Sequence, residues 1–141
     1  MKLSDITDIA VSGLSAQRAR MTVTASNLAN AESTRTAEGG PYRRRDPVFQ
    51  AQPLDPFSSR MDRKLQTVQL TRIALDGRDP IRRHEPSHPD ADESGFVAYP
   101  NVNVVEEMAN MISASRSFEA NLVLMGKARR MGEAALRIGR S

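Results

Sequence analysis

Residues 104–138, VVEEMANMISASRSFEANLVLMGKARRMGEAALRI, decide the fold of this chain. Mostly apolar or small side chains recur there at separations that alternate between four and three residues, at Val104, Met108, Met111, Ser115, Phe118, Leu122, Met125, Arg129, Gly132 and Leu136. This heptad spacing predicts a helix that packs one seam against a partner helix in a left-handed supercoil. At 1.5 Å per residue, the helix is about 50 Å long. Its seam therefore needs a second helix, from this chain or from another one.

The distribution of proline separates two helical ends from a middle segment. All eight prolines lie between Pro41 and Pro100, and proline disrupts the interior of a helix. We therefore predict an N-terminal helix over residues 3–30 and a C-terminal helix over 104–138, with Asn103 as the N-cap of the second helix. The candidate interface residues of the N-terminal helix are Leu3, Ile6, Ala10, Leu14, Met21, Asn27, Leu28 and Asn30.

The predicted fold class is α+β. Residues 1–30 and 102–141 supply the two helices of a coiled-coil core domain, and residues 31–101 supply a loop and a small β-rich insert. In the insert, strands are predicted at residues 42–50, 64–75 and 96–99, with a mobile loop at 53–62. An alternative that the pattern leaves open is an N-terminal helix that packs on the insert as an ordinary amphipathic helix.

The composition excludes several classes of protein. Only 4% of the 141 residues are aromatic and there is no tryptophan, so a large self-contained core is not expected. A net charge of +3 gives too weak a field to imply nucleic-acid binding. No run approaches the roughly 18 apolar residues of a membrane span. Asp5 and Asp8 occupy the region that is basic and then apolar in a secretory signal, so we expect no cleaved signal peptide.

Two segments match metal-site patterns, and neither is predicted to bind metal. Residues 84–88 have the H-E-x-x-H order of zinc proteases, but Pro86 prevents the helix on which that chemistry depends. Residues 90–95 resemble the start of a calcium loop, yet Asn101 stands where a bidentate glutamate is needed. With no cysteine and no nucleophile motif, we expect no catalytic residue, no cofactor, no metal and no small-molecule substrate.

The arginine runs at residues 43–45 and 82–83 allow two interpretations. They are able to form a patch for phosphate or polysaccharide. Because the middle segment is nearly balanced in charge, a solvated face or a set of ion pairs between subunits is the favoured interpretation. No nucleic-acid-binding module accompanies them, so nucleic acid is not an expected partner.

Several stretches resemble one protein family. Ser26 to Ala31, SNLANA, is similar to the S-x-N-L-A-N motif of the flagellar axial proteins, which build the rod and the hook. The further segments that resemble basal-body rod proteins of this family are 40–43, 48–49, 88–92, 95–97, 100–108 and 113–121. The resemblance covers nearly the whole chain and is weakest over residues 51–83. The N-terminal motif is general to the family, and the segments near the C-terminus are more specific.

The resemblance implies a structural subunit of the proximal rod, which carries torque across the periplasm, and no enzyme. The implied partners are other copies of the chain, sibling rod proteins, the adaptor that joins the rod to the membrane ring, and the type III export apparatus. Unpartnered apolar faces also predict that both termini are largely disordered in the free monomer. The competing interpretations are a soluble cytoplasmic coiled-coil adaptor and, less favoured, a metalloenzyme that uses His84 and His88.

Overall fold

The computed structural model describes residues 3–54 and 65–138. The elements, in chain order, are α1 (Leu3–Ala29), β1 (Arg45–Pro53), β2 (Gln66–Leu75), β3 (Ile81–His84), β4 (Phe96–Tyr99) and α2 (Val104–Ile138). The α+β class is confirmed, as are both helices, whose bounds lie within one residue of the predicted ones. The side chain of Asn103 caps α2 as predicted, because its Oδ1 accepts hydrogen bonds from the amides of Val105 and Glu106 at 3.0 and 3.3 Å.

The two helices pack side by side in antiparallel directions. In the last third of α1, Nη2 of Arg20 donates to Oδ1 of Asn110, near the start of α2, at 3.0 Å. Farther along, a Cβ at Gly13 would lie 3.0 Å from the side-chain nitrogen of Asn121. Glycine at this position therefore lets the helix axes come close together. The start of α1 lies beside the last third of α2.

The face of α2 that α1 covers consists of small and polar residues. Glu107, Ala114 and Ala128 are buried and are separated by multiples of seven. Three predicted seam residues, Met111, Phe118 and Met125, flank this face and are half-buried. The other large predicted seam residues, all exposed, are Val104, Met108, Leu122 and Leu136. Because α1 approaches closely at Gly13, bulky side chains do not fit between the helices.

A hairpin of β1 and β2 lies against α1. The strands pair antiparallel from Arg45 opposite Leu75 to Pro53 opposite Gln66, and the amide of Val68 donates to Oγ of Ser12 at 3.2 Å. The first strand begins three residues later than predicted, because Tyr42 turns its side chain into the interior and its amide donates to the carbonyl of Ser33. Of the predicted loop, residues 55–62 lie outside the described part of the chain.

A second, shorter hairpin contains a strand that was not predicted. β4 matches the predicted strand at 96–99, and β3 pairs with it antiparallel. The sequence of β3 lacks apolar alternation because its arginines pack on aromatic rings: the guanidinium of Arg82 lies 5.1 Å from the ring centre of Phe96, and that of Arg83 lies 4.6 Å from that of Tyr99. The loop between β3 and β4 ends at Gly95, whose φ of 77° lies in the left-handed region that favours glycine.

Candidate assembly interface

One end of the helix pair is closed by a buried polar network centred on Asn27. Its Oδ1 accepts from the amide of Arg45 and from the hydroxyl of Tyr42, both at 3.0 Å. Its Nδ2 donates to the carbonyl of Arg45 at 2.9 Å and to Oε2 of Glu107 at 3.0 Å. A carboxamide has two N–H donors and two acceptor sites, so Asn27, which is 1% exposed, uses all of them. It ties α1 to the loop, to β1 and to α2.

Glu107 continues this network to Arg44. The carboxylate is 1% exposed, and its Oε1 lies 2.9 Å from Nε and 2.7 Å from Nη2 of Arg44. Burial alone would lower the pKa of Arg44, but hydrogen bonds to Glu107 and Asp46 outweigh it, and the pKa of Arg44 is raised. We call Asn27, Tyr42, Arg44, Arg45 and Glu107 the clasp.

The clasp corrects one interpretation of the arginine run. Arg44 does not belong to a solvated face, because its side chain is only 10% exposed and its partners lie in the same chain. Arg43 and Arg45 are exposed, as the favoured interpretation expected. Sequence reasoning missed Glu107 as an interior residue, since a charged side chain at the start of a helix is ordinarily solvated. The available signal was its spacing of seven from Ala114.

A second seam on α2 is left largely exposed by the described part of the chain. At about 100° per residue, it lies roughly 100–140° around the helix from the face that α1 covers. Its residues again alternate in steps of three and four: Val105, Met108, Ile112, Ser115, Glu119, Leu122, Gly126, Arg129, Glu133 and Leu136. Five of these are large apolar residues, and all five are exposed, from 43% at Leu122 to 76% at Val105. We call this set the outer seam.

The outer seam ends in an apolar groove at the end of the helix pair opposite the clasp. The groove encloses about 620 Å³. Its lining residues are Thr7, Leu122, Met125, Gly126, Arg129, Gly132, Glu133 and Leu136. A Cβ added at Gly126 would meet no atom within 4 Å, so the described part of the chain gives no packing reason for this glycine. We call this feature the open groove.

The predicted interface residues fall into three groups. Of those on α1, Ala10 and Asn27 are buried, and the side chain of Leu3 lies outside the described part. Half-buried positions, from both helices, are Ile6, Leu14, Met21, Leu28, Asn30, Met111, Ser115, Phe118 and Met125. Exposed positions, all on α2, are Val104, Met108, Leu122 and Leu136. The structure therefore brings the described α1 positions and part of the α2 positions together, and the described chain covers the exposed group only in part.

The segments that matched metal patterns have local structural roles. His84 ends β3, and the amide of Asp90 donates to Nδ1 of His88 at 3.1 Å. Oδ1 of Asp92 accepts from the amides of Ser94 and Phe96, both at 2.9 Å, so this carboxylate holds a turn that leads into β4. Among the described residues, no three acidic or histidine side chains converge in a way that would hold a metal ion. Neither described helix combines the length and the apolar character that crossing a membrane requires.

Two flagellar families match the ends of the chain. Residues 8–35 match the family described as flagella basal body rod protein. Residues 93–138 match the family described as flagellar basal body rod FlgEFG protein C-terminal. Together these ranges cover most of α1 and α2, which carry Asn27 and Glu107 of the clasp, the outer seam and most of the open groove.

Individual relatives match along nearly the whole length. The chain is 40% identical to the flagellar basal-body rod protein FlgC of Salmonella typhimurium, over 99% of each chain. It is 38% identical to the FlgC of Borreliella burgdorferi, over 98% of each chain, and 35% identical to that of Bacillus subtilis, over 94% of this chain and 95% of the relative. The chain thus belongs to the family of the flagellar basal-body rod protein FlgC, and it is a structural subunit of the flagellar basal-body rod.

Proposed function

We propose that this chain is a proximal-rod subunit whose outer seam on α2 binds a helix of a neighbouring subunit. The observation that carries the proposal is a set of exposed large apolar residues that occupy five of the ten heptad positions of the outer seam, at Val105, Met108, Ile112, Leu122 and Leu136. Such a stripe is typical of a helix that has a second partner. We further propose that α1 and α2, from residues 1–30 and 102–141, form a coiled coil that carries the insert of residues 31–101.

The proposed contact between neighbouring subunits accounts for the assembly of a rod. We propose that the outer seam of one subunit is covered by a different surface of its neighbour, so that each subunit offers both halves of the contact. A contact of this kind, repeated by a screw operation, gives an open helical tube. In such a tube the long helices of each subunit pack against those of its neighbours. The tube therefore resists twisting and transmits torque across the periplasm. Neighbours in this tube are further copies, sibling rod proteins and the adaptor to the membrane ring.

The route to the periplasm is part of the proposal. The chain passes through the flagellar type III export apparatus. A subunit whose outer seam is exposed suits this route, since its terminal helices complete their packing only when the subunit joins the rod. Unfolding the last third of α2 for export breaks few buried contacts, because most side chains of that segment are exposed.

The test is to locate the protein in isolated basal bodies. A short epitope is inserted into the exposed loop at residues 37–40. Purified basal bodies are then labelled with gold-conjugated antibody and imaged by electron microscopy. We expect label on the rod between the membrane rings. A chain found only as a discrete dimer or tetramer in the cytoplasm, with unlabelled basal bodies, would instead support the coiled-coil adaptor.

A further inference from the structure

We propose that a polar cleft beside the clasp binds a carboxylate from a neighbouring rod subunit, held by Arg20 and Thr24 of α1. The cleft encloses about 310 Å³. It lies between the face of α1 that carries Gln17, Arg20 and Thr24, Asn110 of α2, and the start of β1 next to the clasp. We call it the polar cleft. This inference rests on the proposed function, which supplies the neighbouring subunit, and it adds a contact that is separate from the outer seam.

One wall of the polar cleft contains a buried hydroxyl group that lacks a partner. Thr24 is only 4% exposed, and its hydroxyl forms no hydrogen bond with any residue that the structure describes. Buried polar side chains in folded proteins are nearly always hydrogen-bonded, because an unpaired one costs free energy. Thr24 therefore has a free hydrogen-bonding position for a group from outside the subunit.

Gln17, two helical turns before Thr24 on the same face of α1, repeats this observation. Its Oε1 is buried and has no hydrogen-bond partner in the described chain. Neither atom of the carboxamide is engaged with a described residue, so a half-turn of the group breaks no hydrogen bond and brings its two N–H donors to the same place. Two unpaired polar side chains on one face thus border a single cleft.

Between them lies a half-buried guanidinium that has no acidic partner among the described residues. Nη2 of Arg20 donates to Oδ1 of Asn110 at 3.0 Å, and that neutral amide is its partner within the described segments. A guanidinium that has lost part of its hydration is ordinarily paired with a carboxylate, whose two oxygens match its planar fork of N–H groups. Arg20 therefore favours an acidic ligand.

The acids that line the polar cleft are already paired. Glu107 and Asp46 both bind Arg44. The guanidinium of Arg45 lies 5.5 Å from the ring centre of Tyr42, and no acid in the described chain binds it. The lining thus contains three arginines and two acids. Its unpaired groups are mainly hydrogen-bond donors, and a carboxylate supplies the acceptor oxygens that such groups need.

The polar cleft and the outer seam face different directions. At about 100° per residue, Asn110 lies roughly 160° around α2 from both Met108 and Ile112 of the outer seam. One neighbour is therefore not able to cover both surfaces with a single helix. A subunit that binds neighbours on two opposite flanks extends an assembly and does not close it into a pair.

The test is a competition for places in the rod between wild type and Thr24→Val. The two subunits carry different epitopes at residues 37–40 and are co-expressed, and their ratio in purified basal bodies is divided by their ratio in the secreted protein. We expect Thr24→Val to be about tenfold under-represented, as the loss of one hydrogen bond to a charged group implies. The matched control is Thr22→Val, an exposed position whose hydroxyl donates to the carbonyl of Arg18 at 3.0 Å, and it should enter at the wild-type level.

The free subunit should respond differently to the same substitution. Valine removes the unpaired hydroxyl and keeps the branched shape of the side chain, so the urea midpoint of Thr24→Val should be no lower than that of Thr22→Val. A lower midpoint would show that the hydroxyl already has a partner in the free subunit, such as bound water, and would overturn the inference.

Arg20→Gln tests whether the ligand is acidic. The substitution removes the charge and keeps N–H donors, so this variant should also be under-represented in basal bodies, whereas Arg18→Gln, at an exposed position of the same helix, should not be. Entry of Arg20→Gln at the level of Arg18→Gln would overturn the assignment of a carboxylate. If Thr24→Val also matches its control while basal bodies still carry the gold label, the rod function stands without this contact. Unlabelled basal bodies would instead remove the proposed function itself.

Discussion

The two ends of the helix pair are built in opposite ways. At the clasp end, Asn27 and Glu107 are buried and every polar atom of the Asn27 side chain is hydrogen-bonded within the chain. At the other end, the open groove has a floor of glycine and a rim of exposed leucines. The clasp is complete in a single subunit. The second end has a surface of the kind that a second molecule covers.

This difference separates two requirements of a rod subunit. Directional hydrogen bonds at the clasp fix the angle at which the insert leaves the helices, because only one arrangement satisfies all of them. Apolar contact at the open groove is less directional, and it contributes only when a partner removes the surface from water. Substitutions at the clasp should therefore change the fold of the subunit, and substitutions on the outer seam should change its assembly.

The largest effect is expected from Leu122→Asp on the outer seam. Leu122 is 43% exposed, so an aspartate there stays hydrated in the free subunit. In the assembled rod the same carboxylate would be buried without a partner, at a cost of several kcal/mol. We expect export to continue and incorporation into the rod to be lost, as measured by immunoblots of secreted protein and of purified basal bodies.

The control for Leu122→Asp is Val11→Asp. Val11 is the large apolar residue that α1 exposes among its described side chains, at 47%, and it lies outside both the outer seam and the open groove. This variant should enter the rod at close to the wild-type level. Equal incorporation of the two variants would contradict the assignment of α2 as the assembly helix.

The next effect in size is expected at the clasp, from Asn27→Ala. The substitution leaves the amide and carbonyl of Arg45 and Oε2 of Glu107 without their partner, and each buried unpaired group costs about 1–3 kcal/mol. The polar cleft borders the clasp and admits water to some of these atoms. We therefore expect a loss of about 3 kcal/mol in the free energy of unfolding, measured by urea titration.

Asn30→Ala is the matched control within the same sequence motif. Nδ2 of Asn30 donates to the carbonyl of Ser26 at 2.9 Å, and Oδ1 accepts from Ser33 at 3.2 Å. These bonds are local and partly exposed, so their loss should lower the stability by only about 1 kcal/mol. Equal losses of unfolding free energy in Asn27→Ala and Asn30→Ala would show that the clasp does not stabilise this end more than a local pair of hydrogen bonds does.

The sequence predicted the helices well because their signals are local and repeated. The absence of proline, the cap at Asn103 and the heptad spacing all act along one element, so α2 was placed at its observed bounds. The strand at 81–84 was missed because its stabilising contacts are between arginines and aromatic rings across the hairpin. The spacing of apolar residues along a sequence does not reveal contacts between arginines and aromatic rings.

The clasp and the division of α2 into two seams could not be predicted from the sequence, for a different reason. The heptad pattern predicted one seam on α2, and the structure divides the large residues of that pattern between a flank of the α1 contact and an exposed stripe. What decides between them is the close approach at Gly13, a property of two helices together. Likewise, Asn27 and Glu107 are 80 positions apart, and no local pattern pairs an amide with a carboxylate over that distance.

The comparison of the two ends also predicts where a free subunit is ordered. In dilute solution, amides near the clasp, in residues 20–29 and 107–115, should exchange hydrogen slowly, and those around the open groove, in 3–13 and 122–138, should exchange fast. Complete helices would involve 27 residues of α1 and 35 of α2. A helical content near two fifths of the chain by circular dichroism, or uniform protection, would contradict this prediction of terminal disorder.

The smallest effect concerns Asp76, at the edge of the clasp, where its Oδ2 lies 3.8 Å from Nη1 of Arg44. Hydrogen bonds from the side chain and then the amide of Arg78 lower the pKa of Asp76 to about 2. Because the pKa is lower in the folded chain than the ordinary value of about 3.9, ionised Asp76 stabilises the fold above about pH 4 and loses this effect as the pH falls toward 2. Arg78→Ala should raise the pKa of Asp76 toward the ordinary value, as followed by carbon-detected NMR of its carboxyl group.

Arg43→Ala is the matched control. The guanidinium of Arg43 donates to the backbone carbonyl of Asp76 and not to its carboxylate, so the carboxyl pKa should change little in this variant. A larger shift in Arg43→Ala than in Arg78→Ala would show that the field of the arginine run, and not the local turn, sets the charge at this edge of the clasp.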